Sequence, residues 1–511
     1  MTWWETALSA AAAASAAVPM ALRWLRVAQR EHYLTGAVSR FQGRWWRSTP
    51  TNAALGVVFV GLVVGSLLEP GLGIWWVLAG AAIVVVFPIG LPVVGSTSPL
   101  RWTPRMRRVA WGSGALVVAV ATGVGVVAGA AAGLLVGLGA GGPLIDLALW
   151  ALAPVERREQ ARWVDQARAG LRAVGPAVVA ITGSYGKTTT KEYARRILAT
   201  AGPTLASPAS FNNAMGLART VNEHLALGTS WFVAEMGTYG PGEIRSMCEW
   251  VSPDIAAITA IGPMHLERFG TLDVTLAAKA EISERARVVV LNVDDPRLAG
   301  LAARLEEQGR EVVRVGTMGD GLDVAVVAAS DGWAVAVRGG PTTTFPPVPF
   351  PTNLAVAVGI GLAARVPMEG LAVAFEGVAS PDHRQTVARG PGGFWVVDDT
   401  FNSNPVGAAV ALETLAATGG GRKVVVTPGM VELGRSQREE NRRFGLAAAN
   451  VADDLVIVRR TNRAALRAGA IHGRANVRFA ASREEAVAWV RATLSGNDAV
   501  LYENDLPDHY P

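Results

Sequence analysis

Residues 177–190 read AVVAITGSYGKTTT. The first six, 177–182, are apolar or β-branched and predict a buried strand. That strand runs without a break into Thr182-Gly183-Ser184-Tyr185-Gly186-Lys187-Thr188-Thr189-Thr190, a glycine-rich turn with Lys and Thr opening a helix. Backbone N–H groups of such a turn, and the helix N-terminus behind it, receive phosphates. In this pattern Lys187 reaches the β/γ-phosphates and the Thr188 hydroxyl sits on Mg²⁺. Gly183, Ser184, Tyr185, Gly186, Lys187, Thr188 and Thr189 are therefore the nucleotide-binding candidates. An ordinary strand-to-helix turn leaves GKTTT after an apolar strand unexplained. The loop is also short: the general pattern has glycine five residues before Gly186, where this chain has Ile181.

Outward from this loop the same alternation continues. Strands are predicted at 231–236, 255–261, 287–293 and 312–316, with helical stretches between the first four strands, and 323–338 reads as a small hairpin. Alternation of this kind means a mostly parallel sheet with helices on both faces. A second alternating block begins near Phe394, with strands at 394–398, 423–427, 454–458 and 499–502, and forms a second α/β domain of about 120 residues.

The other direction is different. Residues 3–22, 54–68, 72–95 and 110–153 are apolar runs, and the last is twice the ~20 residues that cross a hydrocarbon core. Split near Gly129, they make five predicted spans. The first is not read as a cleaved signal peptide, because no basic stretch precedes it and more spans follow. Arg23, Arg26, Arg30, Arg40, Arg44 and Arg47 lie in one loop region, and Arg101, Arg105, Arg107 and Arg108 in another, whereas the alternate loops carry no Lys or Arg. The positive-inside rule puts the arginine loops in the cytoplasm. Five spans then leave the N-terminus outside and everything after Arg157 inside, as a nucleotide-binding half requires. Asp146, the one acid in the last span, is read as snorkelling or capping. Residues 155–173 are charged with helical period and read as a surface linker helix. The expected organisation is a multi-pass α-helical membrane region over 1–154, a linker over 155–175, a central α/β domain over 176–380 and a second α/β domain over 381–511.

Composition agrees. The chain has 511 residues, half of them hydrophobic, only 17% charged, with mean hydropathy +0.29. A soluble chain averages about 25% charged, so disordered and fibrous classes are excluded. One cysteine, Cys248, excludes a disulfide scaffold and Cys-clustered metal sites. A net charge of +5 gives no case for nucleic acid. Lysine occurs only at Lys187, Lys191, Lys279 and Lys423, against 43 arginines. A chain that has exchanged Lys for Arg so widely keeps lysine where a compact or nucleophilic amine matters; for Lys191 and Lys423 chance is an equal explanation.

The segments ITGSYGKTTTKE (181–192), FNNAMGLA (211–218), AEMG (234–237), HLERFG (265–270), AAKAEI (277–282), LNVDDP (291–296), DDTFNSNP (398–405) and GMVELG (429–434) together, in this order, resemble the Mur ligases. Among these the chain is most similar to the MurF-like branch, which adds D-alanyl-D-alanine to a UDP-muramoyl tripeptide. The resemblance implies a central P-loop ATPase domain followed by a Rossmann-like C-terminal domain. It implies that Glu235, a hard oxygen ligand at a strand end, shares the ATP-bound Mg²⁺ with Thr188. It puts His265 on a second Mg²⁺, although the residue alone reads equally as structural or general-base. It makes Lys279 a carbamylated lysine whose carbamate ligates or orients that second metal; only a primary amine forms one. Asn292 resembles the adenine-contacting asparagine, and Arg384 the arginine near ribose or phosphate. Asp399 sits where the C-terminal domain closes on ATP, Asn402 and Asn404 shape the turn before Pro405, and Asn212 and Asn213 line the substrate side. Glu281 reads as ordinary surface. Two departures stand out. Of the family's H-N-x-x-N only Asn353 carries over, and the family's UDP-sugar-binding domain is replaced by apolar spans.

The activity expected from the resemblance is ATP-dependent ligation of a carboxylate to an amine through an acyl-phosphate, with Lys187, Lys279 and His265 catalytic, in cell-wall precursor synthesis. The expected partners are the lipid bilayer and carboxylate and amino-acid or peptide substrates, a lipid-linked acceptor included. The rivals are a poly-γ-glutamate synthetase of the CapB type, a transport-coupled P-loop ATPase, and a non-catalytic scaffold. The sequence is silent on oligomeric state, and the acidic tail 501–511 has no role assigned by it.

Overall fold

The computed structural model describes residues 2–95, 99–208, 211–348, 350–368, 371–375, 386–400, 403–506 and 509–510. The chain divides into two compact units, Met1–Glu159 with Leu506–Pro511, and Gln160–Asp505.

The first unit is helical: α1 Trp3–Arg30, α2 Ala37–Trp46, α3 Pro50–Leu68, α4 Gly73–Val86, α5 Pro104–Ala128, α6 Ala130–Gly139 and the start of α7 Gly141–Val174. By length and composition α1, α3 and α5 are each long and apolar enough to cross a membrane, and α6 with α7, bent by 70°, makes a fourth candidate. The expected five spans thus meet three or four such helices among the described residues. The 72–95 run is helical only to Val86, because the chain turns to extended backbone at Phe87. The split at Gly129 is where the sequence puts it, with Gly129 in a positive-φ conformation that ends α5. At the bend, Gln42 stands in for the missing helix bonds: its amide donates to Gly139 O at 2.9 Å and its carbonyl accepts from Gly142 N at 2.9 Å.

Charges in this unit serve helix ends. Asp146 lies near the start of α7, yet it caps α2, accepting from Ser39 N at 2.8 Å and Val38 N at 3.3 Å. The buried Arg23 guanidinium donates to Val84 O, Val85 O and Leu91 O, including carbonyls at the end of α4 that have no helical donor. The tail that the sequence left unexplained belongs here. Trp45 Nε1 donates to His509 O at 2.8 Å, His509 Nε2 meets Glu31 Oε1 at 3.1 Å, and Phe41 packs on both His509 and Tyr510.

The linker is not a separate helix. It is the far half of α7, which runs unbroken through Pro154 to Val174.

The second unit opens with β1 Ala177–Thr182, α8 Lys187–Ala199, β2 Thr204–Ala206, α9 Ala214–His224, β3 Trp231–Glu235, α10 Glu243–Val251 and β4 Ile255–Ile258. It continues with α11 Leu266–Phe269, α12 Leu272–Ala280, β5 Val288–Asn292, α13 Pro296–Glu307 and β6 Glu311–Gly316. Then come β7 Val324–Ala329, β8 Gly332–Val337, β9 Thr342–Phe345 and α14 Pro351–Ala363. The sheet order is β2-β3-β1-β4-β5-β6-β7-β8-β9, parallel from β2 to β7 and antiparallel from β7 to β9. The predicted strands all form; β2 and β9 are additions of three and four residues, too short to show a period. Val179, Ile181 and Val290 face α8 and α14 on one side, and Val178, Ala180 and Val289 face α9, α10 and α13 on the other.

A second sheet, order β10-β11-β15-β12-β13-β14, follows from β10 Thr386–Arg389, β11 Trp395–Asp399, α15 Pro405–Ala417, β12 Lys423–Thr427, α16 Gln437–Val451, β13 Asp454–Val458, α17 Arg463–Ala470, β14 Asn476–Ala480, α18 Arg483–Thr493 and β15 Ala499–Glu503. All its pairs are parallel except β10 with β11.

Candidate active site

Ligands of open parallel sheets bind beyond the carboxyl ends of the strands, and those ends carry most of the candidates. Thr182 closes β1, Glu235 closes β3 and Asn292 closes β5, while Asp399 and Glu503 close β11 and β15 in register with each other.

The loop after β1 is held by its neighbours. Ser184 N donates to Ala260 O at 2.8 Å, and Ser184 Oγ exchanges hydrogen bonds with Gly262, at 3.1 Å to its carbonyl and 2.9 Å from its amide. Thr259 Oγ1 donates to Tyr185 O. A side chain at Gly183 would run into Thr259, and one at Gly186 into the Asn353 amide. Both glycines are at positive φ, 154° and 78°, so the turn needs them for backbone and for space. Asn353, the one survivor of its family pattern, is thereby brought against the loop from the first turn of α14. The Lys187 ammonium folds back over the turn, donating to Gly183 O at 2.7 Å and Ser184 O at 3.4 Å. It encloses the loop where phosphate oxygens would replace those carbonyls. Thr188 lies in the half-buried first turn of α8, and Thr189 is buried one residue on. The Tyr185 ring lies against Gly262, and burial pushes its phenol well up.

Glu235 is buried. Its Oε1 accepts from Asn212 Nδ2 at 3.2 Å, and its Oε2 lies 3.1 Å from Lys191 Nζ but accepts no directed hydrogen bond. A buried carboxylate at the end of a strand in register with Ile181, two residues before the glycine turn, with one oxygen taking no directed hydrogen bond, fits a hard cation that also takes nucleotide phosphate oxygens. Among the described residues no group of three His, Cys, Asp or Glu gathers as a metal cluster. Asn212 thus serves the carboxylate, while Asn213 caps α9, accepting from Gly216 N at 2.8 Å.

Lys279 is buried on α12. Burial, and then the nearby Lys187 charge, push its amine well below the ordinary lysine range. Glu281 overturns its expectation as surface. It is buried and caps α10, accepting from Gly242 N at 2.7 Å and Arg245 N at 3.0 Å. Where α12 passes into a 3₁₀ turn the side chain swings inward, a geometry that helix period alone does not show.

His265 meets a partner that the sequence did not offer. Its Nδ1 bonds the Glu432 carboxylate, Glu267 N donates to Glu432 O at 3.3 Å, and Tyr239 stacks edge-on against its ring. His265 and Glu432 both adopt left-handed backbone, φ 57° and 64°. Strain of this kind persists where surrounding structure enforces it, and it gathers at functional sites. The 428–434 loop is fixed by Asn441 and Asn462, which bond Met430 N, Met430 O and Pro428 O at 2.8 to 3.0 Å. GMVELG was legible as a matching segment; its contact with HLERFG was not.

Asn292 uses its side chain within the chain, donating to Thr259 O at 3.0 Å. Asp399 is buried beside Glu503, whose carboxyl burial and the Asp399 charge push well up, and Ser403 Oγ donates to Glu503. Asn404 caps α15 through Gly407 N at 3.0 Å. Arg384 and Asn402 lie outside the described residues.

Residues 181–336 match the Mur ligase middle domain, and 383–502 match the Mur ligase glutamate ligase domain. The chain is 30% identical over 374 residues to the UDP-N-acetylmuramoyl-tripeptide–D-alanyl-D-alanine ligase of Mycobacterium tuberculosis (strain ATCC 25618 / H37Rv), covering 65% of this chain and 71% of the relative. It is 29% identical over 278 residues to the same-named ligase of Bacillus subtilis (strain 168), covering 52% and 59%. Among solved structures it resembles MurF from Acinetobacter baumannii, with TM-score 0.59 and 25% identity over 68% of this chain and 78% of that one. It also resembles in fold the Thermotoga maritima MurF in complex with ADP, with TM-score 0.57 and 23% identity over 68% and 80%.

Proposed function

The chain belongs to the Mur ligase family, whose members are ATP-dependent amide-bond-forming ligases, and from that premise we propose that it joins a carboxylate of a cell-wall precursor to an amino acid or peptide amine. The observation that carries this reading is the pair of features at the ends of β1 and β3: the Lys187 loop, and a buried Glu235 carboxylate of which one oxygen takes no directed hydrogen bond.

The carboxylate takes the terminal phosphoryl group of ATP, the amine attacks the acyl-phosphate, and the tetrahedral intermediate collapses to amide and phosphate. Lys187 releases its carbonyls and binds the phosphate being transferred. A cationic donor aimed at developing charge in a water-poor site is worth roughly 10²–10³ in rate. Glu235 and the Thr188 hydroxyl would hold Mg²⁺, which supplies charge neutralisation on the phosphates. Gly183, Ser184, Tyr185, Gly186 and Thr189 shape the cradle, and Asn353 buttresses Gly186. Asn292 braces the loop through Thr259, and Asp399 and Arg384 take the nucleotide's outer side. His265, held by Glu432, and Lys279 would hold the second metal. Lys279, its amine pushed well down by burial, would add CO₂ and lose a proton, giving the carbamate anion.

In sequence, apolar helices precede the Mur ligase domains, so the acid substrate is read as lipid-linked or envelope-bound. The two arginine loops share the cytoplasmic side only if the chain returns through the short apolar stretch Pro70–Val86. That keeps the catalytic unit inside, attached to the membrane.

The test is incubation of detergent-purified protein with ATP, membrane extract and labelled amino acids, with the product identified by mass spectrometry. ADP release requiring both acid and amine supports ligation. Hydrolysis independent of amine and coupled to solute movement overturns it.

A further inference from the structure

His265 and Glu432 come from loops of different sheets. His265 opens α11 after β4 of the nine-stranded sheet, and Glu432 follows β12 of the six-stranded one, 167 residues away. Their contact is built from both sides. Glu267 N donates to Glu432 O at 3.3 Å, and Gly434 lies so close to the Leu266 and Glu267 backbone that a side chain there would meet it at 3.0 Å. The His265 ring is held as well: Tyr239 packs edge-on at 5.1 Å, and the Arg268 guanidinium lies over Tyr239 at 4.5 Å. Stability is a poor account of this arrangement. The two side chains are 22% and 26% exposed, and a pair that open to water adds little. Each residue also holds left-handed backbone, which is costly for any side chain that has a Cβ. What the contact does fix is the imidazole proton. An ionised carboxylate accepts and does not donate, so its bond to Nδ1 puts a proton on that nitrogen. In a neutral ring Nε2 then carries the lone pair, and among the described residues it has no hydrogen-bond partner.

We propose that Glu432 is the positioning residue of His265: it keeps the ring proton on Nδ1, so that Nε2 offers a lone pair to the reaction. The inference rests on His265 as a working group of the ligation proposed above. A lone pair at Nε2 serves a metal ion or takes a proton; a proton at Nε2 does neither. A carboxylate behind a histidine fixes its tautomer and ring orientation and raises its basicity as a ligand. Here that carboxylate belongs to the other sheet, so the working form of His265 depends on the two α/β domains meeting. The left-handed backbone at both residues is consistent with this task. It turns each side chain toward the other where neither loop alone has reason to do so.

The test uses the full chain in detergent, metal-free, with its histidines labelled with nitrogen-15, at about pH 8.5, above the ordinary histidine range. Magnetic resonance reads which ring nitrogen carries the proton. His265 is picked out of the six histidines as the signal lost in His265→Asn. In the wild type its Nδ1 should be protonated and its Nε2 bare. Glu432→Ala, which removes the acceptor, should move the proton partly or wholly to Nε2. Glu432→Gln, whose carbonyl can accept the same bond, should keep the wild-type form. A wild type protonated at Nε2, or a folded Glu432→Ala that keeps the wild-type form, overturns the proposal. Mn²⁺ added with ADP then shows what the lone pair serves, read as nitrogen coupling in electron spin echoes. A coupling that vanishes in His265→Asn makes Nε2 a metal ligand, and Glu432→Ala should weaken that Mn²⁺ site by about 10- to 100-fold. An unchanged affinity in that variant overturns the proposal. No coupling in the wild type overturns His265 as a metal ligand, whatever the ring proton shows, and leaves Nε2 as the proton acceptor.

Discussion

Valine is used in opposite ways in the two units. Val179, Val289 and Val290 in the nine-stranded sheet are fully buried, covered by helices of the same chain. Val57 and Val60 on α3 and Val118, Val126 and Val127 on α5 lie open, the last two at 82% and 88% exposure. Burying a valine fully is worth about 1.5–3 kcal/mol. The α/β unit realises that gain with its own chain, while the N-terminal unit leaves it to a surrounding that is not part of the chain. Polar groups follow the same division. In the α/β unit buried carboxylates stand at strand ends, at Glu235, Asp399 and Glu503, besides Glu281 at the start of α10; in the helical unit Asp146 and Arg23 satisfy helix termini. An open apolar surface and a set of buried charges are thus separable by position alone.

The largest test of this contrast pairs two substitutions. Val290→Ser in β5 should cost about 2–4 kcal/mol, from lost burial and a hydroxyl without a partner. Val118→Ser on the open face of α5 should stay within about 0.5 kcal/mol in detergent. Thermal unfolding of both variants checks it, and equal losses would break the contrast.

A smaller effect sharpens the polar side. Burial, and then the Lys187 charge, push the Lys279 amine down, so in the window between its folded value and the ordinary lysine value of about 10.4 the unfolded chain binds more protons than the folded one. Stability then rises with pH through that window, by at most about 1.4 kcal/mol per unit. Lys279→Met, which has no such proton to lose, should be more stable than wild type at neutral pH in CO₂-free buffer, and its advantage should shrink as pH rises toward 10. Denaturant unfolding of both proteins across that range is the measurement; a constant difference would remove the buried-amine argument.

The smallest concerns a buried charge with a purely structural task. Glu281→Ala removes the cap of α10 and should cost about 1 kcal/mol, read by the same unfolding experiment, while nucleotide affinity stays at the wild-type level. A change in nucleotide affinity instead would return Glu281 to the site.

Much of the α/β unit was legible because its strands are short apolar runs between helical periods: β1, β3, β5 and β12 begin and end within a residue or two of their predicted positions. Spacing also put Lys187 and Thr188 at the start of α8, since a strand-to-helix turn is local in sequence. Glu281 misled because a helix passing into a 3₁₀ turn changes which face a residue presents. The linker misled because charge begins before α7 ends, and polarity was taken for a boundary. Among the described residues three or four helices, where the sequence offers five apolar runs, are long and apolar enough to span, because apolarity does not record how many residues stay helical, as the extended backbone at Phe87 shows.

What the sequence determined by itself was therefore whatever depends on neighbours along the chain: the strand-to-helix phosphate loop, the alternation that makes a parallel sheet, and the apolar composition of the first 150 residues. Only the tertiary structure decided which side chains far apart in sequence share one small volume. His265 meets Glu432 across 167 residues, Glu235 is held between Asn212 and Lys191, and Asp399 meets Glu503 in register. The reason is that a carboxylate looks the same in any sequence, and whether it is a cap, a counter-ion's partner or half of an acid pair is fixed by what surrounds it once water has been excluded.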